Sequence, residues 1–397
     1  MQVLRTISLI LIAAVFFNIK AQAVEAKAAM KEWTFLVFIN GHNNLSPFAD
    51  MNITSMENVG STDQLNVVVE WGSESTNITK RVFIKKTGSD HVSKSQVMME
   101  LPDHDMGDYK NLVSFIDWGV KNFPAKHYFI AVWNHGSGWH FMNQSLLKPM
   151  DISYDESSGH HITTEELGLA MAEAKKIIGH NVDIYGSDAC LMQMMEVNGE
   201  LVGSVDYVVG SQETEPGEGW PYEPFLAKWA KQPTMTPAQV SALLSREYKA
   251  SYNGGVYGKK PNTTFSAVDL SKTADLYKSI TMLGRSFMNL DLQQVKQLRS
   301  TVAQAVSFTY GDYVDLGDLL VKLKSSSFAT KLSGLTETES ALKNYVIAVD
   351  NNSAFTKAKG LSVWFPLFDS GDMQRYDNLK SSQETGWNNA IRSALKP

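Results

Sequence analysis

The chain is 397 residues long, with 42 acidic residues against 36 basic ones and a formal charge of −6 at pH 7. With 43% hydrophobic residues it can bury a normal core, and without a basic run it is a poor nucleic-acid binder. Its single cysteine excludes an internal disulfide.

The first element reads as an export signal, residues 1–23. Arg5 gives a short positive start, residues 7–17 are nearly all apolar, and Ala21-Gln22-Ala23 has the small-x-small form of a cleavage site. The run is too short for the ~30 Å apolar core of a bilayer. A retained anchor is the alternative reading, and no later stretch approaches a membrane span. The expectation is a monomeric, secreted or periplasmic protein starting near Val24. In an oxidising compartment a lone cysteine is either a small buried hydrophobe or a reactive thiol.

Beyond the signal, continuous apolar runs predict strands at 33–40 (WTFLVFIN), 66–71 (NVVVEW), 81–84, 128–133 (YFIAVW), 182–185 and 207–210. Helical patterns fall between them at 109–122, 163–178 and 191–202. Thr163-Thr164-Glu165-Glu166 reads as a capped helix start and Gly179 as a stop. This alternation predicts an α/β fold with a mostly parallel central sheet and helices on both faces. The second half is more helical, at 237–252, 271–288, 292–308 and 336–349, with short strands at 264–268 and 361–365. Residues 24–255 read as the core, and 256–397 as an elaboration of the same unit.

Ligands in open α/β sheets bind beyond the carboxyl ends of the strands. Two stretches bring reactive side chains there. One apolar strand ends at His135 and runs into Gly136-Ser137-Gly138; another runs through Gly186-Ser187-Asp188-Ala189 to Cys190. If the two strands are neighbours, imidazole and thiol share one crevice. A thiolate is favoured at a helix N-terminus and beside a histidine, and the backbone N–H groups of Gly136 and Cys190 are candidates for an oxyanion hole. In an extended segment Asp188 points the same way as Cys190. It reads either as a pocket carboxylate for a basic side chain or as a helix N-cap. The loop SQETEPGEGWPYEPF at 211–225 follows the next strand and contributes Glu218 and Trp220 as pocket-wall candidates, a plain solvated acidic loop being the other reading. His160-His161 reads as a surface loop, since no matched ligand set accompanies it; His42 and His140 have no clear role, and no metal site is assigned.

NHGSGW after a hydrophobic strand, followed by DACLM, resembles the clostripain family of cysteine peptidases, within the wider caspase, legumain and gingipain group. TTEELGLAM, GSQETEPGEGWPY, YVDLGDLL and KGLSVWFP strengthen the resemblance, which runs over roughly residues 32–390. It implies a caspase-like α/β/α sandwich, His135 as the catalytic histidine, Cys190 as the nucleophile, and Asp188 at the base of a pocket for arginine or lysine. Glu218 falls where relatives can carry a second pocket acid. His42 departs from the family pattern, in which GHNNLS commonly has an aspartate at that place. Relatives can mature by self-cleavage at a basic residue between the histidine and the cysteine. Here Lys148 precedes a proline, and Lys175 and Lys176 lie in an expected helix. The chemistry requires no cofactor. Some members are activated by calcium, for which the acids at 213, 215 and 218 are the candidates, without the spacing of a dedicated loop.

The sequence therefore points to an exported cysteine endopeptidase. Its partners would be peptides or proteins cleaved after arginine or lysine through a thioester acyl-enzyme. The rivals are a catalytically silent binding or adhesion protein on the same fold, and a transpeptidase using the same dyad.

Overall fold

A computed structural model describes residues 30–74, 76, 78–88, 92–140, 151–369 and 371–396. The expected signal and Lys148 fall outside them. Nine strands lie side by side in one sheet: β1 (Lys31–Ile39), β2 (Leu65–Ser73), β3 (Ile78–Phe83), β4 (Gln96–Pro102), β5 (Ala125–Trp133), β6 (Val182–Asp188), β7 (Val205–Gly210), β8 (Ser266–Asp269) and β9 (Val346–Val349). Their order is β9-β8-β7-β6-β5-β1-β2-β3-β4. The five central strands from β7 to β2 run parallel, and the two strands at either edge are added antiparallel.

The continuous apolar runs arise because both sheet faces are covered. Successive side chains of a strand point to opposite faces, and β1 divides accordingly. Trp33, Phe35, Val37 and Ile39 enter one core with helices α1 (Ser46–Glu57), α5 (Tyr222–Trp229) and α6 (Pro237–Tyr252). Leu36 and Phe38 enter the other, with α2 (Tyr109–Asn122), α3 (Thr164–Ile178), α4 (Met195–Leu201) and α7 (Thr273–Phe287). This is the α/β/α sandwich that the sequence predicts.

The C-terminal part completes the same sheet. β8 pairs with β7, and β9 with β8. A small ribbon, Tyr313–Asp315 with Ser362–Trp364, lies beside it, and Ser362 bridges to Met194. Three predicted boundaries shift. The pattern at 336–349 splits into the helix Leu335–Tyr345 and the edge strand β9, because its last residues find a strand to pair with. The helix expected to reach residue 308 stops at Val302. The helix expected from residue 191 begins only at Met195. Among the described residues no helix is long and apolar enough to cross a membrane.

Candidate active site

The neighbouring strands β5 and β6 run parallel with Trp133 opposite Asp188. Each chain then leaves the sheet at the same edge, two residues before His135 and Cys190 respectively. The two exits touch: the Asn134 N–H donates to the Asp188 carbonyl (3.2 Å). A Cβ on Gly136 would stand 2.5 Å from the Cys190 carbonyl oxygen and 3.0 Å from the Ala189 Cβ, so only glycine fits the approach.

His135 is half-buried, and its Nε2 lies 2.8 Å from Oδ1 of Asn44. An amide oxygen only accepts, so the proton sits on Nε2, and the Nδ1 lone pair is the basic site. Asn44 comes from the turn after β1, the strand on the other side of β5. Burial lowers the His135 pKa below its usual value, so the ring is neutral at pH 7.

Cys190 does not open a helix. Leu191 adopts a left-handed φ of 65°, and the segment pairs with residues after β7: the Leu191 N–H donates to Glu213 O (3.1 Å) and the Gln193 N–H to Ser211 O (3.0 Å). The helix-dipole stabilisation expected for the thiolate is therefore missing, because α4 starts five residues further on and is only seven residues long. Burial pushes the Cys190 thiol up to about 11, helped by Glu213 and Asp188, against one N–H from Glu215 that reaches Sγ at 3.2 Å.

Near the thiol two acidic side chains, Asp188 and Glu215, are buried together. Asp188 is buried and accepts from the Tyr222 hydroxyl (2.7 Å) and the Trp220 N–H (3.2 Å). It caps no helix; it faces the carboxyl of Glu215, and burial pushes Asp188 up to about 7 and Glu215 well above its usual range. Trp220 is fully buried, its ring 6.0 Å from that of Phe129 and 5.8 Å from that of Phe265, so it packs into the core beneath Asp188 and Glu215. Glu218 departs from the sequence expectation. Its carboxylate turns to Lys260 (Nζ at 2.5 and 2.6 Å), which neutralises it, and Glu215 takes the place beside Asp188.

A sequence model of the clostripain family matches residues 37–393. The chain belongs to the clostripain family. Clostripain of Hathewaya histolytica is 25% identical, over 72% of this chain and 62% of that sequence, so the chain spans less than two thirds of that relative. A secreted C11 cysteine protease from Bacteroides thetaiotaomicron, solved in complex with an irreversible peptide inhibitor, superposes with a TM-score of 0.67. It shares 19% identity, over 91% of this chain and 99% of that one. An inactive zymogen C11 protease from Parabacteroides distasonis gives 0.67 at 16% identity, over 90% and 98%. Both share the fold described above.

Within this clostripain-family fold, the other expected residues find different surroundings. His42, at the departure from the family pattern, is buried with its Nδ1 2.9 Å from Asp155, which also accepts the Met106 N–H. His140 is buried between Asp312 (3.3 Å) and Asp372 (3.5 Å). His160 is exposed and pairs with Asp105. The loop acids do not converge: Glu213 accepts from the Thr214 and Thr309 N–H groups, Glu215 faces Asp188, and Glu218 pairs with Lys260. Among the described residues no three metal-binding side chains come together.

Sequence reasoning missed Asn44 and Glu215. Asn44 stood in GHNNLS, a run singled out for its family likeness, but nothing local tells that its side chain reaches across β1 to β5. Glu215 was one of four acids in a single loop, and composition does not tell which one turns inward.

Proposed function

We propose that this chain is an exported cysteine endopeptidase that cleaves after arginine or lysine. The observation that carries the reading is the meeting of the His135 and Cys190 segments above a buried carboxyl pair. Export draws on the apolar segment at 7–17 and on a relative described as secreted.

The resting pair is neutral, imidazole and thiol. On substrate binding, Nδ1 of His135 takes the Sγ proton as Sγ attacks the scissile carbonyl carbon. Asn44 holds the Nε2–H and so fixes the ring and its tautomer. The oxyanion is received by the N–H groups of Gly136 and Cys190. The imidazolium returns its proton to the leaving amine, and a water deprotonated by the same ring then hydrolyses the thioester. The substrate's basic side chain enters beside Asp188 and Glu215, where its charge meets buried carboxyls.

The test is turnover of a small fluorogenic arginine substrate by the purified chain from Val24 onward, beside Cys190→Ala and Asp188→Ala. The expected result is activity in the first, none in the second, and a loss in the third at least tenfold greater on arginine than on a neutral substrate. Equal losses on both would remove the pocket assignment. Silence of the native chain, with its thiol free and its fold intact, would favour the binding-protein alternative.

A further inference from the structure

Asp188 and Glu215 are two buried carboxyls in contact with each other, and among the described residues neither has a cationic partner. Lys260, the basic side chain over the Tyr252 ring, is held by Glu218. Oδ2 of Asp188 has two donors, Tyr222 and Trp220. Both oxygens of Glu215 are buried, and their only hydrogen-bond contacts are loose ones, to the Asp188 carboxyl and to the ring N–H of fully buried Trp220. An unpartnered buried carboxylate is costly, and two side by side cannot both ionise at little cost. The stable arrangement keeps one proton between them, with protonated Glu215 donating to Asp188. A guanidinium or ammonium group supplies the missing positive charge, and five N–H donors on a guanidinium suffice for both carboxyls.

We propose that Glu215 is a specificity-determining residue of the pocket, and that an arginine or lysine side chain enters by displacing the proton it shares with Asp188. This rests on the basic-pocket reading above. The step is an ionisation: the Glu215 O–H gives its proton to solvent water, and the substrate cation balances the negative charge left behind. Other groups facing the pair do not supply that proton. Tyr222, Tyr248, Tyr252 and Tyr257 are all held neutral by raised pKa values. Glu213 is turned to Thr309, Glu218 is paired with Lys260, and Glu223 is bonded by Asn58. The remaining groups are the Cys190 thiol above the pair and, beyond it, the His135 ring.

The experiment separates these two from the pair. The first readout is kcat/KM for an arginine substrate divided by that for its neutral citrulline isostere, since His135 and Cys190 affect both alike. The ratio should rise by about tenfold per pH unit below the pair's apparent pKa and then level off, as displacement of one proton requires. Glu215→Gln, which copies the protonated acid, should give a ratio that is flat with pH and about tenfold lower on the alkaline side. Glu215→Asp should keep the rise. The second readout is calorimetry of an arginine peptide on Cys190→Ala in two buffers of different ionisation enthalpy near pH 6.5. About one proton should be released per peptide bound, and none in the Cys190→Ala/Glu215→Gln double variant. An arginine preference without pH dependence, or zero proton release, would overturn proton sharing and leave the basic pocket standing. A protein active on neutral substrates, with no arginine preference at any pH, would overturn both.

Discussion

With the Cys190 thiol pushed up to about 11 and the His135 imidazole lowered by burial, both groups rest neutral, and the proposed nucleophile differs in this from cysteines stored as thiolates. Alkylation of Cys190 by iodoacetamide should therefore climb by about tenfold per pH unit between roughly pH 7 and 10, because each unit raises the thiolate fraction tenfold. A plateau already reached below pH 8 would mean that the pair is stored ionised. Asn44 belongs to the same scale. Asn44→Ala frees the ring to turn, and a misplaced base costs on the order of 10²-fold, expected in kcat with KM little changed. Asn44→Asp sets a carboxylate 2.8 Å from Nε2, where the amide oxygen now lies. An opposite charge raises the imidazole pKa, so the acid limb of kcat/KM moves to higher pH. A profile unmoved in the folded Asp variant would reduce Asn44 to a structural role.

At the scale of elements, β6 leads into the segment of the proposed nucleophile and makes room for the Trp220 ring. Gly186, in its interior, stands where a Cβ would come within 2.4 Å of the Trp220 ring and 2.8 Å of a Val209 methyl. Gly186→Ala should destabilise by about 1–3 kcal/mol, the usual penalty of overpacking, and raise KM for arginine substrates as Trp220 shifts. Denaturant melts and kinetics on one preparation check both. The strands themselves were legible because β1, β5 and β6 are buried on both faces and read as unbroken apolar runs. So was α3, where Thr163 and Glu166 close the capping box that the sequence announces. The start of α4 was not legible. Residues 191–194 have a helical composition, yet Leu191 and Gln193 donate to Glu213 and Ser211, partners eighteen or more positions away. Tertiary pairing decides that segment, and with it the loss of a helix dipole at Cys190. The same limit hid that Glu215 and not Glu218 faces Asp188, since both acids lie in one loop and Lys260 tells them apart.

Across the whole molecule, the C-terminal part reaches back to the sheet edge that holds His135, through the Tyr313 hydroxyl, which donates to the Ser137 and His140 carbonyls, and through the Arg375 guanidinium. Arg375, in the short helix Met373–Tyr376, binds Asp151 and Glu165 together, the latter at 2.7 Å. Asp151 is fully buried; its carbonyl accepts the Ser137 N–H, and its carboxylate accepts the Thr164 N–H at the start of α3. Arg375 thus steadies the loop that follows His135, although it lies far from it in sequence. Arg375→Ala leaves a buried carboxylate without its counter-charge, and breaking a buried pair from one side costs on the order of 3 kcal/mol. Burial already raises the Asp151 pKa against the pull of Arg375, so removing the arginine raises it further. A raised carboxyl contributes stability in acid, below its unfolded pKa, and loses it as pH rises through the folded value. The Arg375→Ala penalty should accordingly be largest near pH 7 and shrink toward pH 4, where Asp151 is protonated in the variant. Urea melts at both pH values measure it. An equal penalty at both would show that Arg375 acts by packing on Trp139, whose ring lies 5.7 Å from its guanidinium, and not through the charge of Asp151.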